Sequence, residues 1–240
     1  MTTFRRCLLP SLLLLAHLLP AQSTYRLHWG RETALVGAGA GLWLTGAKLG
    51  QRTPLLTEAQ VLQLDAQTIS GFDRWATRQN SHPARRASDI LLLSSPTWPS
   101  LLFLDPEVRR QAPEIGVITG EAVLLTVGLT QLTKNLARRT RPYVYHPQVP
   151  MAEKRSLDAR RSFFSGHTSV LAASTFVSAK IWTDVHPHSR MKPVVWAGAV
   201  ALPLTMGWLR VRGGRHFPTD VLTGLAVGGL VGWLVPELHR

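Results

Sequence analysis

Six apolar segments, each about the length of a helix, recur along the chain and are separated by polar stretches. They cover residues 33–47, 90–104, 115–132, 168–182, 194–209 and 221–235. Apolar runs of this length favour helices, because strands are usually shorter. The segments are rich in Gly and Ala, as are helices that pack closely against one another. The pattern predicts one all-α domain, a six-helix bundle over residues 24–240.

The charge pattern of these segments bears on whether they cross a membrane. A spanning helix needs about 20 mostly apolar residues. The apolar runs here are shorter, and Glu121 and Lys180 lie inside two of them. The last two segments carry no charge, and tryptophans lie near several segment ends, as in an interfacial belt. We therefore expect a membrane-embedded bundle, with a soluble periplasmic protein as the alternative.

The first 23 residues have the order of a secretory signal peptide. Arg5 and Arg6 precede an apolar run over residues 7–19, which ends in small residues. The only cysteine, Cys7, lies in this segment, so the mature chain would have no disulfide. The segment predicts a protein of the cell envelope, either in the inner membrane or in the periplasm.

The chain is strongly basic, with 27 Lys+Arg against 14 Asp+Glu and a net charge of +13. This charge suggests a partner that carries phosphate: nucleic acid, an anionic lipid headgroup or a phosphorylated substrate. Nucleic acid is disfavoured, because the basic residues cluster beside apolar helices and no nucleic-acid-binding motif accompanies them. The cluster between residues 134 and 161, which includes Arg138 and Arg139, is interpreted as a basic rim that attracts an anionic substrate or membrane surface.

A turn before the last apolar segment holds an arginine, a histidine and a carboxylate: Arg210, His216 and Asp220. Pro218 suits the first turn of the helix that follows. Asp220, one turn into that helix, can reach back to one ring nitrogen of His216 and leave the other with a free lone pair. Taken alone, the motif is also consistent with a structural cap.

Two further motifs precede other helix boundaries. Ser165-Gly166-His167 stands before the fourth segment, where unpaired N–H groups at a helix start can bind an anion and a serine can simply cap the helix. Lys134 and Arg141 end the third segment and fall on nearly one helical stripe. A basic helix end favoured by the macrodipole is the alternative for this pair.

In this order the three motifs resemble the signature of the type 2 phosphatidic acid phosphatase superfamily, K-x6-RP, PSGH and SR-x5-H-x3-D. The matching residues are Lys134, Arg141 and Pro142, then Ser165, Gly166 and His167, then Arg210, His216 and Asp220. Two positions depart, with Phe164 in place of the usual proline and Leu209 in place of the usual serine. The resemblance covers about residues 134–220.

The resemblance implies an all-α phosphatase that needs neither metal nor cofactor and acts on a phosphomonoester or a lipid pyrophosphate. It implies that His216 is the nucleophile, that Asp220 orients it, and that His167 is the general acid and base. The phosphate-binding residues it implies are Lys134, Arg141, Ser165, Gly166 and Arg210.

The direction of the helices offers a test of this interpretation. If the six segments alternate in direction, the ends of the third and fifth and the starts of the fourth and sixth fall on one face. All three motifs then meet on that face. The alternatives are a soluble periplasmic non-specific acid phosphatase, a vanadate-dependent haloperoxidase and a non-catalytic membrane scaffold.

Overall fold

The computed structural model describes residues 23–240, and these residues form α-helices and short 3-10 turns with no strand. The predicted signal peptide, residues 1–23, lies outside the described residues except for Ser23. The helices are α1 Trp29–Gln51, α2 Glu58–Leu62, α3 Gly71–Arg74, α4 His82–Leu93, α5 Thr97–Leu101, α6 Pro106–Arg109, α7 Ala112–Ala137, α8 Met151–Lys154, α9 Gly166–Val185, α10 Lys192–Arg212 and α11 Pro218–Leu238.

Five of the six predicted segments are continuous helices, namely α1, α7, α9, α10 and α11, and each is longer than its apolar run. The additional turns begin at residues that suit helix starts. Ser165 caps α9, and prolines occupy the first turns of α7, α10 and α11. The all-α prediction is confirmed.

The prediction of a single helix over residues 90–104 is wrong. α4 ends at Leu93, the chain turns through residues 94–96, and α5 is followed by a 3-10 turn, Leu102–Leu104. Pro96 explains the break, because proline lacks an N–H and disfavours helical geometry in the residue before it. α4 extends upstream instead, where Ser81 accepts a hydrogen bond from the N–H of Ala84 at 3.3 Å.

The bundle is built around α9, which packs against α7, α10 and α11, while α1 packs along α7. Glycines allow the close approach that the Gly- and Ala-rich segments predict. A Cβ at Gly228 of α11 would lie 2.1 Å from the carbonyl oxygen of Ser169, and one at Gly46 of α1 would lie 2.6 Å from the nitrogen of Leu132. Helix backbones therefore touch at these points, with no room for a side chain.

A buried cluster ties together three elements at the end of the bundle where the chain finishes. The Nε2 atom of His239 lies 3.1 Å from carboxylate oxygens of both Glu32 and Glu121, and its Nδ1 lies 2.7 Å from the carbonyl oxygen of Val235. Among the described residues it is a group whose ligand atoms lie within 4.8 Å of one another. The sequence analysis did not predict it, and it lies about 20 Å along α7 from Lys134.

Three stretches are long and apolar enough to cross a membrane by length and composition: Ala112–Tyr145, Lys192–Arg212 and Pro218–Leu238. Their outer faces expose large apolar side chains, which in water would form an unusually extensive patch. On α10 and α11 these exposed side chains are Val194, Leu204, Trp208, Leu222, Leu230 and Trp233. A hydrocarbon environment would solvate these faces.

Candidate active site

The three motifs converge at one end of the bundle, as the alternation of helix directions predicts. The ends of α7 and α10 bring Lys134 and Arg210 there, and the starts of α9 and α11 bring His167 and the turn that holds His216. Arg141, which follows α7, has its NH1 atom 3.5 Å from Nε2 of His216. Residues separated by 75 positions in sequence thus share one site.

His216 is buried with its two ring nitrogens facing opposite kinds of charge. Nε2 faces the Arg141 guanidinium, and Nδ1 lies 3.5 Å from Oδ2 of Asp220, too far for a normal hydrogen bond. Burial, together with the cations of Arg141 and Lys134, holds the pKa of His216 well below its usual value. The imidazole is therefore neutral over the physiological pH range, with a lone pair free for attack.

Asp220 is fully buried and is held by three donors. Its Oδ2 accepts hydrogen bonds from the hydroxyl of Ser162 at 2.5 Å and from the N–H of Phe217 at 2.9 Å. Its Oδ1 accepts from Arg139 at 2.6 Å. These contacts fix the carboxylate beside His216, at the position the sequence predicts for an orienting group.

Arg139 corrects the interpretation of the basic cluster as a solvent-facing rim. Its guanidinium bridges Asp220 and Asp73, with the Asp73 contact at 2.7 Å, and stacks on Phe217 with 4.1 Å to the ring centroid. Asp73 also accepts from the N–H and the hydroxyl of Thr219. The polar stretch between α1 and α4 thereby supplies a carboxylate that supports the site. Sequence reasoning missed this pairing.

Two of the three predicted phosphate-binding cations, Arg141 and Lys134, are buried and are held by oxygens of the chain. Arg141 donates to the carbonyl oxygen and the carboxylate of Asp158, at 2.9 and 2.8 Å, and to the carbonyl oxygen of Arg215 at 2.9 Å. Lys134 donates from Nζ to the carbonyl oxygen of Arg161 at 2.9 Å. Cations held in this way are already oriented for an anion.

The third cation, Arg210, meets a carboxylate that no motif indicated. Its NH1 donates to Oδ1 of Asp89 and to the hydroxyl of Ser88, each at 3.1 Å. The same Asp89 oxygen lies 2.9 Å from Nε2 of His167. Burial and the Arg210 guanidinium lower the pKa of His167 to about 4. Asp89 is the only acidic residue between positions 74 and 104, and this was the one signal in the sequence that could have singled it out.

The start of α9 places Ser165 and Gly166 differently from each other. Ser165 is fully buried, its hydroxyl is 2.9 Å from that of Thr168, and its N–H donates to the carbonyl oxygen of Asp220. It acts as the helix N-cap, and its predicted role as a phosphate donor stays a prediction. A Cβ at Gly166 would lie 3.0 Å from Thr130 and 3.6 Å from Lys134, so glycine allows the helix start to approach the cation.

Comparison with known families now decides the classification. The sequence profile of the PAP2 superfamily matches residues 116–240, just over half of the chain. This chain belongs to the PAP2 superfamily. The matched region contains every residue of the three motifs, so the resemblance seen in the sequence is confirmed.

A solved structure has the same fold. It is the crystal structure of the first transmembrane PAP2 type phosphatidylglycerolphosphate phosphatase from Bacillus subtilis, which is 22% identical with a TM-score of 0.50. The alignment covers 84% of this chain and 95% of that one. Family membership supports a phosphoric ester hydrolase, and the three apolar helices together with this fold support a membrane protein.

Proposed function

We propose that this PAP2 protein hydrolyses a phosphomonoester, or the terminal phosphate of a lipid pyrophosphate, through a phosphohistidine formed on His216. One observation carries the proposal. The neutral, buried imidazole directs Nε2 toward Arg141, at 3.5 Å, and Nδ1 toward Asp220. A nucleophilic nitrogen beside preorganised cations is the arrangement that phosphoryl transfer requires.

In the first step Nε2 of His216 attacks phosphorus in line, and the bond to the leaving oxygen breaks. Lys134, Arg141 and Arg210 stabilise the charge that spreads over the phosphoryl oxygens. The ring becomes positively charged, and the carboxylate of Asp220 stabilises it from the Nδ1 side. His167 donates a proton to the leaving oxygen, which departs as an alcohol or as a phosphate ester.

In the second step the same imidazole works as a base. His167, now neutral, accepts a proton from a water molecule that attacks the phosphohistidine. The nitrogen–phosphorus bond breaks, inorganic phosphate leaves, and His216 returns to its neutral form. In both steps a substrate oxygen takes the place beside His167 and Arg210 that the Asp89 carboxylate holds in this structure.

The proposed substrate is a phosphorylated lipid, because the catalytic end continues into helices whose outer faces are apolar. We place the protein in the cell envelope, in the inner membrane, on the basis of the N-terminal segment and these helices. Release of phosphate from phosphatidate, phosphatidylglycerophosphate, an isoprenoid pyrophosphate and lipid A, compared on the purified protein, identifies the headgroup. Bromide oxidation in added vanadate would instead indicate a haloperoxidase.

Rapid mixing with nitrophenyl phosphate tests the two histidine roles. A general acid contributes about 10²- to 10⁴-fold when the leaving oxygen is basic and little when it is an acidic phenol. His167→Ala should therefore lose most activity on phosphatidate but still release a burst of nitrophenol. Slow dephosphorylation should then leave acid-labile phosphate on the protein.

His216→Ala should show no burst with either substrate, because it has no nucleophile. His188→Ala, in an exposed loop, serves as the matched control and should behave as the wild type. A burst from the His216 variant, or its equal loss in both site variants, would show that the nucleophile and the acid are assigned wrongly.

A further inference from the structure

α7 presents one continuous stripe of residues to a groove that begins at the catalytic end. The stripe recurs every three or four residues, which keeps it on one face of the helix. Its members include Gly116, Gly120, Val123, Val127, Gln131 and Lys134. α9 faces it with Gly166, Val170 and Ser174, also spaced by four. The broken segment that follows α4 covers the groove.

Two cavities lie along this groove and join. The one nearer the site, about 450 Å³, is lined by Lys134 and Gly166, and the one farther away, about 410 Å³, is lined by Gly116 and Gly120. Both are lined by Val170, as well as by Ser95 and Pro96. The groove therefore leads from the phosphate-binding lysine along the helix. From Lys134 to Gly116 it extends about 27 Å at 1.5 Å per residue.

The far half of the groove is hollow because two positions of α7 have no side chain. A Cβ added at Gly116 or at Gly120 would meet no atom within 4 Å. The polar groups along the groove are mostly hydroxyls, and that of Ser100 is directed to the carbonyl oxygen of Pro96 at 2.8 Å. A charged or strongly polar ligand would find few partners here, whereas a hydrocarbon chain needs none.

We infer that this groove binds one hydrocarbon chain of the lipid substrate while its phosphate lies at Lys134. The inference rests on the proposed function and adds a chain-length limit to it. One leaflet of a bilayer is about 15 Å deep in hydrocarbon, half of the core. The groove, at about 27 Å, is longer than that, so it admits a single linear chain that reaches past one leaflet's depth.

Filling the groove with a side chain tests the inference. Gly120→Leu places an isobutyl group in the far cavity. Gly198→Leu is the matched control, because Gly198 of α10 also has no atom within 4 Å of an added Cβ and lines a separate cavity of about 440 Å³. Butyl phosphate and hexadecyl phosphate are compared on wild type and variants in the same detergent. Partition of the long substrate into micelles is then equal for all three proteins.

The measured quantity is the ratio of kcat/KM for hexadecyl phosphate to that for butyl phosphate. We expect Gly120→Leu to lower this ratio about tenfold or more, since a pocket that loses the volume of a few methylenes discriminates at that level. Gly198→Leu should leave it unchanged. Gly116→Leu should lower it less than Gly120→Leu, because it blocks the groove farther from Lys134.

Turnover of butyl phosphate shows that each variant has folded. An unchanged ratio in Gly120→Leu, or an equal loss in Gly198→Leu, would overturn the chain-binding groove while leaving the proposed phosphatase intact. A wild-type protein that releases phosphate from neither substrate would instead contradict the proposed function itself.

Discussion

Replacement of Arg139 by glutamine removes the cation that lies between two buried carboxylates. Arg139 contacts Oδ1 of Asp220 at 2.6 Å and Oδ2 of Asp73 at 2.7 Å, and the side chains of these aspartates are 0% and 3% exposed. Glutamine carries no charge and cannot reproduce the fork of a guanidinium. The two aspartates would then face each other across the site with no counter-ion between them.

The structure sets the size of the effect. A hydrogen bond to a charged group contributes about 1.5–3 kcal/mol, and Arg139 makes one to each aspartate. Its side chain is 28% exposed, so water screens part of this, and we expect a loss of about 3 kcal/mol. For a chain of this size that loss corresponds to a midpoint about 6–12 °C lower.

Activity should fall as well, because Asp220 would no longer be fixed beside His216. Removal of outer-shell groups that orient a functional histidine typically costs about 10–100-fold, and we expect kcat to fall in that range. KM should change little, since Arg139 is paired with aspartates and is not one of the cations placed for phosphate. Arg139→Lys should recover part of the stability, because one ammonium restores the charge but not both contacts.

Thermal inactivation in detergent and steady-state kinetics measure these two effects. Arg138→Gln is the matched control: the neighbouring arginine donates only to the carbonyl oxygen of Asn135 among the contacts described here. If Arg139→Gln has the stability and kcat of Arg138→Gln, Arg139 does not support the site and the argument is refuted.

Two further predictions concern groups that face the substrate. Arg210→Lys should lower kcat/KM by about tenfold or more, because a mobile point charge replaces a planar fork; near-wild-type kcat/KM would make Arg210 merely a helix-end charge. His167 must be protonated to act as the acid, and its pKa of about 4 rises when a phosphate dianion lies beside it. The alkaline limb of kcat should therefore lie at higher pH than that of kcat/KM, and coincident limbs in the two pH profiles would contradict this.

The sequence predicts most of the bundle because its signals are local. Apolar runs indicate five of the long helices, and Ser165 and Pro218 mark two of the helix starts. The alternation of directions then places the three motifs on one face without any knowledge of contacts. The break after Leu93 was missed because the apolar pattern continues through it, although Pro96 was a local sign against a single helix.

The supporting carboxylates could not be predicted, because they reach the site through tertiary contacts alone. Asp73 meets Arg139 from 66 positions away, and Asp89 meets Arg210 from 121 positions away. Neither aspartate lies in a motif, and each stands in a stretch whose pattern indicates only short or interrupted helices. Long-range pairs of this kind leave no periodicity in the sequence.

The accessibility of the two carboxylates nearest the reacting groups suggests how the site exchanges one anion for another. Asp220 is fully buried and has three donors, so it remains in place. Asp89 is 62% exposed and shares one oxygen between His167 and Arg210, so it can turn into solvent at small cost. A phosphate that displaces it must interact with these two groups more favourably than a carboxylate does. A dianion satisfies that condition better than a monoanion, and we expect the site to bind phosphate esters more tightly than carboxylates of the same shape.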